Sequence, residues 1–204
     1  MEDKNRILNG ITRKRIAWTA YHLGILVILL RIDGPLYRGF HTTIEWIGDH
    51  HIFLLQEFAK NRLWEFFNQF GTIWAAITIS VFIWIYDPPR RKYLLTLAAA
   101  IILSYVIYVL LQHCVGKLRP RVTGGIVTYL PFPQGWHQNE NLSFSSGHAN
   151  FASTLCVFLA LLYPKAEWLF FIIVAACGIA RVYLTAHYFA DVYAGALIGY
   201  APRC

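Results

Sequence analysis

The chain has 204 residues, enough for one domain and not comfortably two. Hydrophobic residues make up 57% of it and charged residues only 14%, against about 25% charge in a soluble domain, so the composition points to a membrane. The net charge of +7 sits in short basic groups between apolar stretches and not in one long run, which argues against a nucleic-acid partner.

In chain order, Lys4, Arg6, Arg13, Lys14 and Arg15 precede the first apolar stretch, Ile16–Leu30. No convincing small-x-small cleavage site follows, so an uncleaved first span is expected rather than a signal peptide. Next comes Thr42–Phe70, where Ile44, Ile47, Leu55, Phe58, Leu63, Phe66, Phe67 and Phe70 recur at helical spacing. An amphipathic surface helix and a helix packed on the bundle both fit that pattern. His50-His51 lies here and is given no role, since adjacent residues do not share a helix face. Five further apolar stretches follow at Gly71–Tyr86, Leu94–Leu111, Ala149–Tyr163, Trp168–Ala180 and Tyr188–Tyr200. A span needs about 20 residues to cross roughly 30 Å. Several stretches are shorter, so their helices must extend into flanks where Lys and Arg snorkel and Trp or Tyr sit at the interface.

The fold class expected is therefore all-α: one membrane-embedded domain over 1–204, a six-helix bundle with a surface helix between spans one and two. Placing both termini inside puts the five N-terminal basic residues with Arg90, Arg91, Lys92, Lys165 and Arg203 in the cytoplasm. Ala175, Ala176 and Gly178, and Ala194, Gly195 and Ala196, suit close helix contacts in lipid. The four cysteines, Cys114, Cys156, Cys177 and Cys204, form no C-x-x-C. The three in or beside apolar stretches read as buried small hydrophobes, without a disulfide framework.

Three polar clusters fall at helix ends, and the span count puts all three on the outer side. Ionisable groups near a bilayer are costly and are usually kept for function. In Gly116-Lys117-Leu118-Arg119-Pro120-Arg121, the cations read either as membrane flanks or as phosphate ligands, the planar guanidinium fork suiting phosphate oxygens. Ser145-Ser146-Gly147-His148 reads either as a helix cap or as a cradle of backbone N–H groups for an anion. In Arg181…His187…Asp191, His187 and Asp191 are four apart and share a helix face. They make either a structural pair or one in which the carboxylate fixes a ring tautomer and leaves the other nitrogen free to attack. Together the clusters supply cationic donors, an anion cradle, two histidines and a carboxylate, the parts of a phosphoryl-transfer site.

With these residues the sequence resembles the type-2 phosphatidic acid phosphatase family, which shares its site with vanadium haloperoxidases and glucose-6-phosphatase. Its signatures are Lys-x6-Arg-Pro, Pro-Ser-Gly-His and Ser-Arg-x5-His-x3-Asp. Here the first ends in Arg119-Pro120, the second reads Ser145-Ser146-Gly147-His148, and the third reads Ala180-Arg181-x5-His187-x3-Asp191. Ser145 replaces the proline, Ala180 the serine, and Gln112 the lysine. Lys117 is expected to supply the cation that Gln112 lacks.

The resemblance implies a membrane lipid phosphatase acting without metal or cofactor. His187 would attack phosphorus with Asp191 orienting its ring, and His148 would protonate the leaving oxygen and then activate water. Arg119, Arg181, Lys117, Ser146, Gly147 and Gln112 would bind the phosphoryl group. The partners expected are membrane lipids and a lipid phosphate substrate, of the phosphatidic acid, phosphatidylglycerol phosphate, undecaprenyl diphosphate or lipid A type. The expected location is a bacterial inner membrane, with the site on the periplasmic or extracellular face. No oligomeric state is assigned. The loop Val122–Leu142 reads either as a lining of the headgroup entrance or as a plain surface loop.

Four other readings stand beside this one. A transporter would hold its ionisable groups near the midplane and not at one face. A metal hydrolase would use His148, His187 and Asp191 as ligands. A haloperoxidase would be soluble. A lipid phosphotransferase or phosphate-binding pseudoenzyme would follow from Gln112.

Overall fold

The computed structural model describes residues 2–49, 62–137 and 141–201. The described chain is helical, with no named strand and only two isolated β-bridges. Helix α1 runs Glu2–Asp49, and its apolar portion Lys14–Trp46 is long enough to cross a membrane. The first apolar stretch is thus the middle of a much longer helix, continued through Pro35.

The expected surface helix over Thr42–Phe70 is not one element. Its first residues are the end of α1, and His50-His51 lies outside the described residues. Its last residues form a short helix, α2 (Arg62–Gln69). A turn at Phe70–Thr72 then bends the chain by 61° into α3 (Ile73–Tyr86), and α2 with α3 passes the length test for a span as a bent pair. The break has a local cause: Phe70, Gly71 and Thr72 close tight turns onto the carbonyls of Phe67, Asn68 and Gln69, which ends the α2 ladder.

A 3-10 turn (Pro88–Tyr93) leads into α4 (Leu94–Val115). A one-turn helix α5 (Pro120–Thr123) precedes the long loop. Then come α6 (Gly147–Leu162), α7 (Glu167–Tyr183) and α8 (Phe189–Tyr200). With its preceding 3-10 turns, Pro88–Val115 is apolar enough to cross, as is Pro164–Tyr183.

On α4 only Leu97, Ser104 and Gln112 are buried, a single narrow stripe at spacings of seven and eight. Apolar residues such as Leu95, Ile102 and Leu103 lie exposed around the rest, the pattern of a helix bathed in lipid. Helix α6 is the opposite: Ala149 through Ala160 is almost entirely buried, because α4, α7 and α8 all pack on it. Lipid offers no hydrophobic drive between helices, so small residues and hydrogen bonds carry these contacts. Gly195 and Gly199 on α8 lie against the α6 backbone, where a Cβ on Gly199 would come 2.5 Å from the Asn150 carbonyl. Ser153 Oγ donates to Ala196 O at 2.7 Å, and Asn150 Nδ2 donates to Ser104 O at 3.0 Å. Cys156 and Cys177 are buried, whereas Cys114 is exposed on the outer side of α4, contrary to the expectation that it is buried.

The elements sort to two ends. Trp18 of α1 stacks on Tyr200 of α8, and Lys14, Arg15, Tyr200 and Ala201 line one cleft. Asp87, after α3, accepts from Arg90 Nη1 at 2.5 Å and from Tyr163 Oη, after α6, at 2.7 Å. The ends of α4 and α7 and the starts of α6 and α8 meet at the opposite end.

Candidate active site

Gly116 ends α4 in the left-handed region, φ +63, with a Cβ position only 2.7 Å from Leu130 O. A glycine is needed there, since any side chain would meet both a backbone strain and that carbonyl. The chain then threads between two loop segments. Leu118 N donates to Thr128 O, Arg119 N to Asn141 O, and Ser143 N to Lys117 O. Arg119 is held within this lattice by its Nε, which donates to Leu142 O at 2.9 Å.

Ser143, which the sequence pattern did not mark, links His187 to Asp191. His187 Nδ1 lies 2.8 Å from Ser143 O. A carbonyl oxygen only accepts, so Nδ1 carries the hydrogen and Nε2 holds the lone pair. His187 is 2% exposed. Burial, and then the charges of Arg181 and Arg119, hold its imidazole well below the ordinary histidine range. That direction favours the neutral ring.

Asp191 was expected to orient His187 directly. It acts instead through Ser143, whose hydroxyl donates to Asp191 Oδ2 while its carbonyl holds the ring. Asp191 Oδ2 also accepts from Tyr188 N at 2.9 Å, capping α8, and Asp191 O accepts from Ser146 N at 2.9 Å. One residue thus ties the start of α8 to the start of α6.

Ser146 caps α6 by accepting from Ala149 N. That leaves the Gly147 and His148 N–H groups as the donors a helix start leaves over, aimed away from the ladder. Arg181 Nη1 donates to Asn68 Oδ1 of α2 at 3.0 Å. Among the described residues, Arg181 Nε and Ser145 Oγ are buried polar atoms without a protein partner. Buried donors left this way are costly unless something accepts from them, and a bound phosphoryl group would. Both guanidinium groups, Arg119 and Arg181, are close enough to act electrostatically on both histidines.

Two further residues, Gly71 and Tyr108, belong here without having been marked. Gly71, at the α2–α3 break, lies on His148, with a Cβ position 2.6 Å from the His148 Cβ and carbonyl. Tyr108 of α4 lies against Gly147 and shares a hydrogen bond with Gln112. Gln112 Nε2 also donates to Leu142 O at 3.2 Å, so this neutral side chain braces the loop that holds Arg119.

Lys117 does not replace the missing cation. Its ammonium is fully buried and spent on two carboxylates, Asp33 Oδ2 at 2.5 Å and Asp191 Oδ1 at 2.7 Å, and it lies over the Tyr188 ring. Burial alone would lower its pKa, but Asp191 and Asp33 together raise it, so it stays charged. Asp33, the third member, comes from α1; its signal was an acid just past the first apolar stretch.

The model of the PAP2 superfamily matches residues 93–202, more than half of the chain and all of this loop-and-helix arrangement except Asp33, Asn68 and Gly71. The chain belongs to the PAP2 superfamily. An undecaprenyl-diphosphatase of Sulfolobus acidocaldarius is 31% identical over 190 residues, covering 92% of this chain and 87% of the relative. The bacitracin transport permease protein BcrC of Bacillus licheniformis is 30% identical over 101 residues, 46% of this chain and 50% of its own. The crystal structure of Aquifex aeolicus LpxE superposes with a TM-score of 0.54 at 25% identity, over 68% of this chain and 79% of that one. A PAP2-type phosphatidylglycerolphosphate phosphatase from Bacillus subtilis shares the fold, with a TM-score of 0.52 at 20% identity, over 86% and 90%. With its apolar helices, the chain is an integral membrane protein of this superfamily. Its departures from the PAP2 signatures are now physical: Ser145 and Ala180 are fully buried, and Gln112 exchanges a charge for two neutral hydrogen bonds.

Proposed function

We propose that this protein is a metal-independent lipid phosphatase that hydrolyses a long-chain lipid diphosphate or phosphate through a phosphohistidine on His187. The observation that carries the reading is the His187 tautomer: Nδ1–H is given to a backbone carbonyl, which leaves the lone pair on Nε2, and the charges of Arg181 and Arg119 act on the ring. Similarity to an undecaprenyl-diphosphatase over 92% of the chain supports a polyprenyl diphosphate as the first substrate to try.

In the first step Nε2 attacks phosphorus and the bond to the leaving oxygen breaks, with protonated His148 giving that oxygen its proton. Arg119, Arg181 and the N-terminus of α6 carry the charge that builds on the phosphoryl oxygens. In the second step His148 takes a proton from water, hydroxide attacks phosphorus, and the phosphorus–nitrogen bond breaks to release phosphate. Two half-reactions through a histidine assign no step to a metal.

We further infer six crossings with both termini in the cytoplasm and the site outside. Arg90, Arg91, Lys92 and Lys165, beyond the helix ends away from the site, and Lys14 and Arg15 of α1, in the cleft beside Tyr200, support that orientation.

The test is phosphate release in detergent from a panel of lipid diphosphates and monophosphates, with excess chelator and with His187→Ala beside the wild type. Release that survives chelator and vanishes in the variant is expected. Release abolished by chelator, or kept in His187→Ala, overturns the mechanism. A wild type that binds vanadate yet releases nothing from any lipid would point to the phosphotransferase reading that Gln112 keeps open.

A further inference from the structure

Asp33, Lys117 and Asp191 are each 0% exposed. They come from three separate parts of the chain: the middle of α1, the turn after α4, and the first turn of α8. All four carboxylate oxygens in the group accept a hydrogen bond. Asp33 Oδ1 accepts from Ala190 N at 3.0 Å and Oδ2 from Lys117. Asp191 Oδ1 accepts from Lys117, and Oδ2 from Ser143 Oγ and Tyr188 N. Lys117 also faces the Tyr188 ring, 4.4 Å from its centroid. Among the described side chains of α1, the buried ones are Asp33, Gly34 and Tyr37, so the inward face of this helix is built around the acid.

Buried ion groups are expensive, and apolar residues of similar volume often stabilise as well. A role beyond stability is therefore worth seeking, and the connectivity supplies one. Lys117 fixes Asp191 by its side chain and Ser143 by its backbone, since Ser143 N donates to Lys117 O. Ser143 in turn holds the His187 ring. Asp33 holds the other face of Lys117 and, through Ala190 N, the first turn of α8 that follows His187.

We propose that Asp33 and Lys117 are positioning residues for the nucleophile: with Asp191 they clamp Ser143 and the His187 imidazole in the attacking orientation, and α1 thereby adds a contact to a site most of whose groups lie in the segment matching the family. The clamp rests on the reading of His187 as nucleophile.

Its test is steady-state kinetics in detergent on Asp33→Asn, Lys117→Met and Ser143→Ala, each compared with wild type and His187→Ala, with the folded fraction measured by thermal unfolding. Asp33→Asn keeps the shape and removes one of two carboxylates sharing an ammonium, so it is the variant most apt to fold. Ser143→Ala keeps the carbonyl that His187 uses and removes only the hydroxyl tie. A loose nucleophile lowers kcat by roughly 10- to 100-fold per folded molecule while KM stays within about threefold. A purely structural group would lower the unfolding midpoint and leave kcat per folded molecule within about twofold, and that result in the folded variants overturns the clamp. If His187→Ala still turns over, the nucleophile assignment fails. If it is dead while the three variants keep wild-type kcat, the clamp alone fails.

Discussion

Replacing Gly71 with alanine pushes on His148 from outside the segment that matches the family. The added Cβ would lie 2.6 Å from both the Cβ and the carbonyl oxygen of His148 and 2.8 Å from its Cα. Ordinary contact needs 3.4 to 4 Å, so the α2–α3 turn and the start of α6 must separate by about 1 Å. The atoms met belong to backbone and Cβ, and no flexible side chain is there to yield. Overpacking of this kind costs about 1–3 kcal/mol, and a misplacement of about 1 Å at a catalytic group costs on the order of 100-fold in rate. Gly71→Ala is thus expected to lower kcat about 100-fold with a reduced unfolding midpoint. The assay is phosphate release at saturating lipid, with unfolding followed by tryptophan fluorescence. Gly24→Ala is the matched control: nothing lies within 4 Å of its Cβ position, so turnover should be unchanged. A Gly71→Ala protein with kcat within about twofold of wild type would refute the placement of this turn on His148.

Arg181→Lys should lower kcat/KM by about 10²–10³-fold and weaken vanadate binding with it, because one ammonium cannot reach Asn68 and the phosphoryl group as a guanidinium does. Unchanged vanadate affinity would remove Arg181 from the site. Because burial and the neighbouring arginines hold His187 below its ordinary range, the nucleophile should still be phosphorylated in a single turnover at about pH 5.5. Above about pH 6.5 the unfolded and folded imidazoles are both neutral. Below it the unfolded chain binds a proton that the folded one refuses, so stability falls with pH by up to about 1.4 kcal/mol per unit until the folded pKa is reached. Stability flat between pH 6.5 and 5 in wild type, or the same slope in His187→Ala, would contradict this. Gly199→Ala, whose Cβ would meet the Asn150 carbonyl at 2.5 Å, should destabilise by about 1–3 kcal/mol with KM unchanged; an unshifted midpoint would mean the α6–α8 contact is looser than described.

What was legible in the sequence was the part written in short-range pattern. Apolar runs gave an all-helical membrane chain, and three spaced motifs gave the family through Arg119, His148, Arg181 and His187. What escaped was set by contacts far apart in the chain. Asp33 meets Lys117 and Ala190 across 84 and 157 residues, a pairing no local period records. Lys117 was read by its charge and place near the motif, but its side chain turns inward to two acids. Asp191 sits at the expected spacing from His187, yet helix α8 begins only at Phe189, so the pair does not share a helix face and Ser143 joins them. The apolar period over Thr42–Phe70 held no warning of the break after Gln69, nor of the contact that Gly71 makes there with His148, far along the chain.

The central claim is the covalent step at His187, and the direct measurement is to trap it. Wild-type protein would be mixed with a lipid diphosphate labelled in its terminal phosphate, quenched in alkaline detergent, and the label located by peptide mass spectrometry. An acid-labile, base-stable phosphoryl group is expected on His187 Nε2, absent from His187→Ala and accumulating when His148 is replaced by alanine and a good leaving group is supplied. Label found on His148, or turnover at full rate with no label on His187 at any time point, would contradict it.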